Sequence, residues 1–242
     1  MKIIEKGTAN HSFKINIFGI KVRFRNRLAF QNNKILLIDE KGNETRVEKI
    51  NGLKVDFRGA NSVIRIHKPC PKFENTTITC GDNVCVSIGG SKHRIANSHI
   101  CATASESNIN IGKNNFIRGI FIASTDKSGI SVNIGDDCLI ANGVRLLTTD
   151  FHTVIDNETK QVLNPPEDIN IGNHCWLCED VTIKKGVKLP KDTIVASKAY
   201  VTKSFEKTNT IIGGIPASII KDKNTSWSVL PYWQYVESLK ST

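Results

Sequence analysis

The sequence predicts an all-β fold in which the chain winds into a solenoid of short strands. The main observation is an aliphatic residue at every sixth position in the second half of the chain. The unbroken series is Ile171, Leu177, Ile183, Leu189, Val195 and Val201. Inward-facing residues recur about every 3.6 positions in a helix and at every second position in a strand. A strict period of six therefore indicates flat faces joined by tight turns, as in a β-helix.

A second observation is that the period extends toward the N-terminus and meets a histidine. The same spacing of six recurs earlier in the chain at Ile134, Ile140 and Leu146, and the next position in step is His152. Glycine and then Asn or Asp often follow the aliphatic residue, as in Ile171-Gly172-Asn173. Glycine and Asn accept the positive φ that a corner needs. Three hexads are therefore expected to form one triangular coil.

Looser repeats and alternating segments define the N-terminal half of the predicted fold. The period weakens toward Val55, and we assign the solenoid to residues 53–220. Residues 1–52 alternate apolar and polar positions, with turns at Asn32-Asn33 and Lys41-Gly42-Asn43. This pattern predicts strands that cap the first coil and keep its edge from pairing with another chain.

Two further segments interrupt or follow the repeat. Residues 153–168 are polar and contain Pro165-Pro166, so they are predicted to form a loop that leaves one corner of the solenoid. Loops of this kind on a rigid scaffold often carry binding groups. The tail, residues 221–242, is rich in aromatic residues. It is predicted to form a short helix that packs on the solenoid or on a neighbouring subunit.

Composition narrows the class of protein. A chain of 242 residues can form one main domain, and its formal net charge of +10 favours an anionic partner. We expect a cytoplasmic protein without a membrane span, because the N-terminus lacks the apolar core of a signal peptide and no window is apolar enough to cross a bilayer. Seven cysteines are an odd number, which fits free thiols in a reducing compartment. Basic residues are spread along the chain and aromatic residues make up 7% of it, so no nucleic-acid partner is expected.

Five sequence blocks, by their order and separations, resemble a known family. They are IGDDCLIANGV at 134–144, TDFH at 149–152, LNP at 163–165, INIGNHCWL at 169–177 and IGGIPA at 212–217. Together they resemble the hexapeptide-repeat acyltransferases over roughly residues 109–221. The resemblance is closest to the bacterial capsule O-acetyltransferases that modify polysialic acid.

The resemblance implies properties that the period of six does not. It implies a left-handed β-helix, an exception to the usual right-handed crossover, and a homotrimer with active sites between subunits. It also implies transfer of the acetyl group of acetyl-CoA to a hydroxyl of a glycan acceptor, with no metal required. A surface polysaccharide such as a capsule that contains sialic acid would agree with the positive net charge.

His152 is the predicted general base. Acyl transfer to a hydroxyl needs a base of near-neutral pKa that takes the alcohol proton, and His152 matches the family's catalytic histidine. It stands where the period would place an aliphatic residue, and the predicted loop begins directly after it. Asp150 is a candidate to orient the imidazole, although Asp is also common in turns. Asp150 and Asn142 are predicted to lie near the acceptor.

The resemblance also assigns residues to acetyl-CoA. Trp176 lies 24 residues after His152 and matches a tryptophan beside the coenzyme in the family. The segment 196–203 matches the stretch that lines the pantetheine and phosphate groups. The residues assigned to the coenzyme are Trp176, Ala196, Ser197, Tyr200, Thr202, Lys203 and Lys221. The two lysines suit a polyanionic ligand.

The sequence departs from the family in places and leaves alternatives open. Cys178, Ile215 and Ser218 replace a glycine, an asparagine and a basic residue, and Tyr200 stands two residues before the family's tyrosine position. Other acceptors stay open, namely a neutral polysaccharide, a lipopolysaccharide sugar, a small antibiotic or an amino-sugar nucleotide that is N-acetylated. A non-catalytic solenoid that oligomerises through its faces is the alternative from a different class.

Two remaining motifs are interpreted as structural, so no metal site is predicted. Cys175-Trp176-Leu177-Cys178 has the C-x-x-C spacing of redox and zinc sites, but Cys175 occupies a small inward position of its hexad. His93 and His99 invite comparison with the zinc site of carbonic anhydrases that share this solenoid. Six residues carry the chain to an adjacent face, and no third ligand is evident.

Overall fold

The computed structural model describes residues 12–17, 20–25, 32–222 and 224–240. Three long sheets enclose a triangular prism, and each passage of the chain around the prism adds one strand to each sheet. Strands of successive coils pair in parallel and in register, as Ile140 does with Leu177. The predicted left-handed parallel β-helix is confirmed.

The strands after an N-terminal hairpin fall on three faces, numbered in the order in which the chain crosses them. The hairpin is β1 (Ser12–Ile17) and β2 (Ile20–Arg25). Face I contains β3 (Lys34–Ile38), β4 (Glu44–Val47), β6 (Val63–His67), β9 (Cys85–Ile88), β12 (Asn108–Ile111), β15 (Ser131–Ile134), β18 (Ile169–Ile171) and β21 (Lys188–Leu189). Face II contains β7 (Lys72–Glu74), β10 (Arg94–Ala96), β13 (Phe116–Ile117), β16 (Leu139–Ile140), β19 (Trp176–Leu177), β22 (Thr193–Val195), β24 (Thr210–Gly214) and β25 (Ala217–Lys221). Face III contains β5 (Leu53–Phe57), β8 (Thr76–Cys80), β11 (His99–Ala102), β14 (Ile120–Ser124), β17 (Val144–Leu147), β20 (Thr182–Lys184) and β23 (Tyr200–Val201).

The N-terminal end differs from the expected boundary between cap and solenoid. Strand β4 runs antiparallel to β3 and covers the outer edge of face I, as a cap would. Strand β3, however, pairs in parallel with β6, so that Ile35 lies beside Ile64. The stack of parallel strands therefore begins at Lys34, within the segment expected to be the cap, and Leu37 of β3 packs against the core of the solenoid.

The core is a narrow column of aliphatic side chains. Ile140, Leu146, Leu177 and Ile183 are all fully buried, which is the burial that the period of six requires. The corners use left-handed backbone, and His174 adopts it with a φ of 54°. The left-handed conformation is typical of glycine, but a polar residue can also adopt it where the turn fixes the backbone.

The C-terminal end closes with a hairpin and a helical tail. Strand β25 folds back antiparallel on β24, and the predicted tail helix is α1 (Tyr232–Lys240). This helix has no buried residue, and the tail is attached through Trp227, whose Nε1 donates to the carbonyl oxygen of His174 at 2.9 Å. No helix in the described part of the chain is long and apolar enough to cross a bilayer.

Truncation of one core residue tests the assignment of inward positions. Replacing the fully buried Ile183 by alanine should lower the free energy of unfolding by about 2–5 kcal/mol, because it leaves a cavity in a closely packed column. The neighbouring Thr182→Ala change, on the outer surface of the same strand, should cost less than about 1 kcal/mol. Urea unfolding of the two variants measures both values. Equal losses would contradict the assigned faces.

Candidate active site

The extended loop leaves the solenoid at the edge between faces III and I. Strand β17 ends at Leu147, and the next strand on face I starts at Ile169. Within the intervening segment, Ile155 and Val162 form an antiparallel bridge, so the loop is itself a small hairpin. The backbone N–H of Glu167 donates to the carbonyl oxygen of Thr148 at 3.1 Å and closes the base of the loop.

His152 lies on the first part of this loop, outside the prism. Its side chain is exposed, and within the described residues its imidazole makes no hydrogen bond. Phe151, just before it, has a φ of 63°, which turns the chain away from the solenoid. His152 therefore does not fill the inward position that its place in the period indicated, since the chain turns away from the solenoid after the buried Thr149. An exposed imidazole is free to meet a substrate.

Asp150 anchors the turn that carries His152. Its two carboxylate oxygens each lie 2.7 Å from a lysine Nζ, one from Lys184 and the other from Lys185. The amide of Asn164 donates to the Asp150 carboxylate at 3.1 Å. The two ammonium groups and the amide hold the pKa of Asp150 well below its ordinary value. Asp150 thus fixes the backbone before His152 and has its carboxylate committed to these three partners.

Asn164 fixes the base of the loop from its C-terminal side. Its Nδ2 donates to the carbonyl oxygen of His152 at 2.9 Å, and its Oδ1 accepts from the backbone N–H of Val154 at 2.6 Å. The Nζ of Lys185 donates to the carbonyl oxygen of Asn164 at 2.7 Å. The sequence did not assign Asn164, Lys184 or Lys185 to the site. The LNP block was a signal for Asn164, whereas nothing local marked the two lysines.

A second group of predicted residues lies at a different edge, between faces II and III. Asn142, Ala196 and Ser197 occupy corners of that edge on different coils. The backbone N–H of Asp180 donates to the carbonyl oxygen of Asn142 at 3.0 Å, and Lys198 pairs with the Asp180 carboxylate at 3.6 Å. Within one chain, these residues are separated from His152 by the width of face III.

Trp176 points outward from face II and is partly covered by the tail. The rings of Trp176 and Trp227 lie 6.1 Å apart. Trp227 also stacks on His174, with ring centroids 4.5 Å apart and planes 9° apart, while His174 Nδ1 lies 2.9 Å from an oxygen of Asp192. The sequence did not reveal that Trp227 reaches Trp176, because the contact joins residues from distant parts of the chain.

The remaining coenzyme candidates divide between edges and faces. Thr202 and Lys203 are exposed at the edge that carries the loop, where Ser204 links their coil to Gly186 by a hydrogen bond of 3.2 Å. Tyr200 is exposed on face III, next to that edge. Lys221 ends β25 on face II. The structure therefore brings Thr202 and Lys203 to the edge of His152 but leaves Trp176, Ala196, Ser197 and Lys221 elsewhere.

The residues of the cysteine and histidine motifs lie apart from one another in the fold. Cys175 is fully buried in the core, and burial raises the pKa of Cys178 to about 11, so that thiol stays protonated at neutral pH. His93 stacks on Phe116 at 5.5 Å, whereas His99 lies on face III. Within the residues that the structure describes, no cluster of three His, Cys, Asp or Glu side chains could hold a metal ion.

Comparison with curated proteins finds relatives that are named as O-acetyltransferases. No protein-family model matches the chain. A polysialic acid O-acetyltransferase of Neisseria meningitidis is 30% identical over 136 residues, which are 56% of this chain and 61% of that protein. A polysialic acid O-acetyltransferase of Escherichia coli O1:K1 / APEC is 34% identical over 122 residues, which are 50% of this chain and 38% of that protein. The matches thus span less than two thirds of the length of either relative.

The similarity in fold extends further than the similarity in sequence. The crystal structure of the polySia specific acetyltransferase NeuO superposes with a TM-score of 0.63 at 25% identity. This superposition covers 87% of the present chain and 95% of the other. The shared fold therefore includes the N-terminal coils, beyond the five sequence blocks.

The ion pairs of Asp150 predict a specific dependence of stability on pH. Asp150→Asn should lower the free energy of unfolding at pH 7 by about 1–2 kcal/mol, the range for a partly exposed charge-assisted pair. Because the folded-state pKa is depressed, this contribution is complete above about pH 5 and is lost as the pH falls below about 4. Urea unfolding of the wild type and of Asp150→Asn between about pH 3 and pH 7 measures the difference in their free energies of unfolding. The exposed Glu158→Gln on the same loop is the control, and a difference that grew toward low pH would contradict the assignment.

Proposed function

Because this chain is related to the polysialic acid O-acetyltransferases in sequence and in fold, as its motif blocks predicted, we propose that it transfers the acetyl group of acetyl-CoA to a hydroxyl of a bacterial surface polysaccharide. The observation that carries this proposal is the exposed imidazole of His152 on a loop whose base is fixed by Asp150 and Asn164. A rigid support and a free imidazole are what a general base needs.

In the proposed reaction, His152 takes the proton of the acceptor hydroxyl as the hydroxyl oxygen attacks the acetyl carbonyl carbon. The C–O bond to the acceptor forms and the C–S bond to coenzyme A breaks. The protonated imidazole then returns its proton to the departing thiolate, so that histidine ends as it began. Asp150 acts as a positioning residue, since its carboxylate is held by Lys184 and Lys185.

The residues assigned to coenzyme A have the chemistry to hold it. The ligand is a thioester that supplies the acetyl group and carries several phosphate charges. Lys203 and Lys221 are exposed, and lysine is a good point charge for phosphate. Trp176 is half-buried beside Trp227 and presents an apolar surface, which suits the alkyl part of the ligand.

A symmetric trimer would explain why several of the assigned residues lie at opposite edges of face III. His152, Thr202 and Lys203 border one edge, while Ala196 and Ser197 border the other. If copies are arranged head to tail around a threefold axis, unlike edges of neighbours meet and each meeting completes one site. We propose that the active enzyme is such a homotrimer.

Net charge and free thiols support a proposal for the acceptor and for the location. A net charge of +10 suits an acidic polysaccharide, and the two curated relatives are named for polysialic acid. All seven cysteines are free thiols, which fits a reducing compartment. We therefore propose a cytoplasmic enzyme that acts on a glycan containing sialic acid.

Removal of the proposed base gives the direct test of the reaction. His152→Ala should lower the acetyl-transfer rate roughly 10²- to 10⁴-fold, the usual effect of losing a general base. Release of the coenzyme A thiol in the presence of polysialic acid and of neutral polysaccharides measures the rate. His67→Ala, on face I, should leave the rate unchanged. Turnover by His152→Ala at the wild-type rate would overturn the role of His152, and no thiol release with any acceptor would overturn the activity.

Mixing two inactive variants tests whether the site is shared between copies. His152→Ala and Trp176→Ala should each have little activity alone. After unfolding and refolding together in equal amounts, about a quarter of the sites should combine an intact His152 from one copy with an intact Trp176 from its neighbour. Thiol release by the mixture measures this recovery. A mixture as inactive as its components would show that one chain supplies both residues to each site.

A further inference from the structure

A small cavity outside the residues assigned above lies at the edge between faces II and III. Its volume is about 390 Å³, within the range of roughly 300–1,000 Å³ that small-molecule sites occupy. The cavity is lined by Asn97, His99, Gly119, Ile120, Phe121, Gly143, Val144 and Arg145. It lies along the same edge as Asn142 and Ser197, and extends from the coil of Asn142 toward the N-terminal end.

Arg145 gives this cavity its chemical character. It points outward from β17, is exposed, and has no carboxylate within ion-pair distance in the ranges 32–222 and 224–240. Its guanidinium lies over the ring of Phe121, with 5.9 Å from Cζ to the ring centroid. Stacking on an aromatic ring limits the rotamers of the side chain, so the guanidinium fork is held ready for a planar anion.

The other lining groups favour an anionic sugar over a cation or a purely apolar ligand. No lining residue is acidic. Asp180, whose carboxylate lies beside Gly143, is already paired with Lys198 at 3.6 Å. His99 lies against Phe121 at 5.7 Å and has one ring nitrogen 3.2 Å from the hydroxyl of Thr79. Arg145, Phe121 and His99 thus form a column of one cation, one aromatic ring and one imidazole.

The spacing of the column suits a sugar ring with a carboxylate. Arg145, Phe121 and His99 occupy equivalent positions on three successive coils. Neighbouring strands are about 4.8 Å apart, so the column extends over about 10 Å. Gly119 and Gly143 add no side chain to the adjoining corner, where Asn97 lines the cavity and the side chains of Asn142 and Asp180 lie beside the two glycines. A sugar ring can therefore lie along the solvent-facing side of this column, where Arg145 and His99 are exposed, while its carboxylate reaches the guanidinium.

We propose that this cavity, here called the Arg145 subsite, binds a carboxylated sugar residue of the acceptor polysaccharide. Arg145 pairs with the carboxylate, and Phe121 and His99 contact the ring. This inference rests on the proposed function, because it makes the subsite part of the acceptor path. It places acceptor recognition on the edge that carries Asn142 and Ser197, opposite the edge of His152. In a head-to-tail trimer, the subsite of one copy then faces the loop of its neighbour.

A binding measurement tests the subsite without relying on turnover. The full-length protein is titrated by calorimetry with a short α2,8-linked oligosialic acid, and with the same oligomer after its carboxylates are reduced to alcohols. We expect the wild type to bind the acidic oligomer at least about 10-fold more tightly than the reduced one. Equal binding of both oligomers, or no binding of the acidic one, would overturn the inference.

Matched variants locate the binding at Arg145. Arg145→Gln should weaken binding of the acidic oligomer roughly 10- to 100-fold, as expected on losing a charge-assisted bidentate contact. Arg145→Lys should recover only part of this loss, because a lysine cannot make the planar bidentate contact. Arg118→Gln, an exposed arginine on the same edge outside the cavity lining, should bind like the wild type. If Arg145→Gln binds like the wild type, the subsite is wrong.

Kinetics separate failure of the subsite from failure of the proposed function. With oligosialic acid as acceptor, Arg145→Gln should raise the KM for acceptor roughly 10- to 100-fold, with kcat and the KM for acetyl-CoA within about twofold of wild type. Thiol release that needs His152 but is indifferent to Arg145 would keep the acetyltransferase and reject the subsite. If the wild type shows no acetyl-CoA turnover, the proposed function is rejected, whatever the calorimetry shows. Equal thermal unfolding midpoints confirm that the variants remain folded.

Discussion

The packing of each coil on the next, in register, is the constraint on which the whole molecule depends. Inward aliphatic residues such as Ile140 and Leu177 lie directly above one another. The same coils are joined by backbone hydrogen bonds, for example from the N–H of Ala141 to the carbonyl oxygen of Leu177 at 2.9 Å. A slip of one residue would turn the aliphatic side chains outward and the polar ones inward. Register is therefore set by burial, and the corners and edges follow from it.

The loop that carries His152 shows how such a scaffold accepts an insertion. Ile109 and Val132 are 23 positions apart and pair on face I, and the next pair, Val132 and Ile169, are 37 positions apart. The stack continues as if nothing had been inserted, because only the two ends of the loop must meet. Asp150, Asn164 and two lysines of the next coil fix that meeting point. The extra residues are free to serve binding, while their base is as rigid as the core.

The proposed trimer rests on the observation that several residues proposed for the site lie at two different edges of the prism. A triangular prism places its edges apart, and one chain cannot turn both toward the same small ligand. Unlike edges can meet between copies, and the proposed trimer uses that geometry. In the proposed trimer, the exposed helix α1 and the exposed edges would contact neighbouring copies, and the same edges carry residues of the proposed site. The Arg145 subsite extends the same division, with acceptor recognition and proton transfer on opposite edges.

The amino-acid sequence by itself determined the repeating unit, the faces that turn inward and the resemblance to acetyltransferases. Period and motif order are local properties, and residues such as Ile171, Leu177 and Ile183 report them directly. Tertiary structure alone decided which distant side chains meet. Lys184 and Lys185 reach Asp150 because coil stacking places residues more than thirty positions apart on adjacent strands. Trp227 reaches His174 across a still longer separation. His152 lies outside the core because the chain leaves the prism after the buried Thr149, before it reaches the position that the period would have buried.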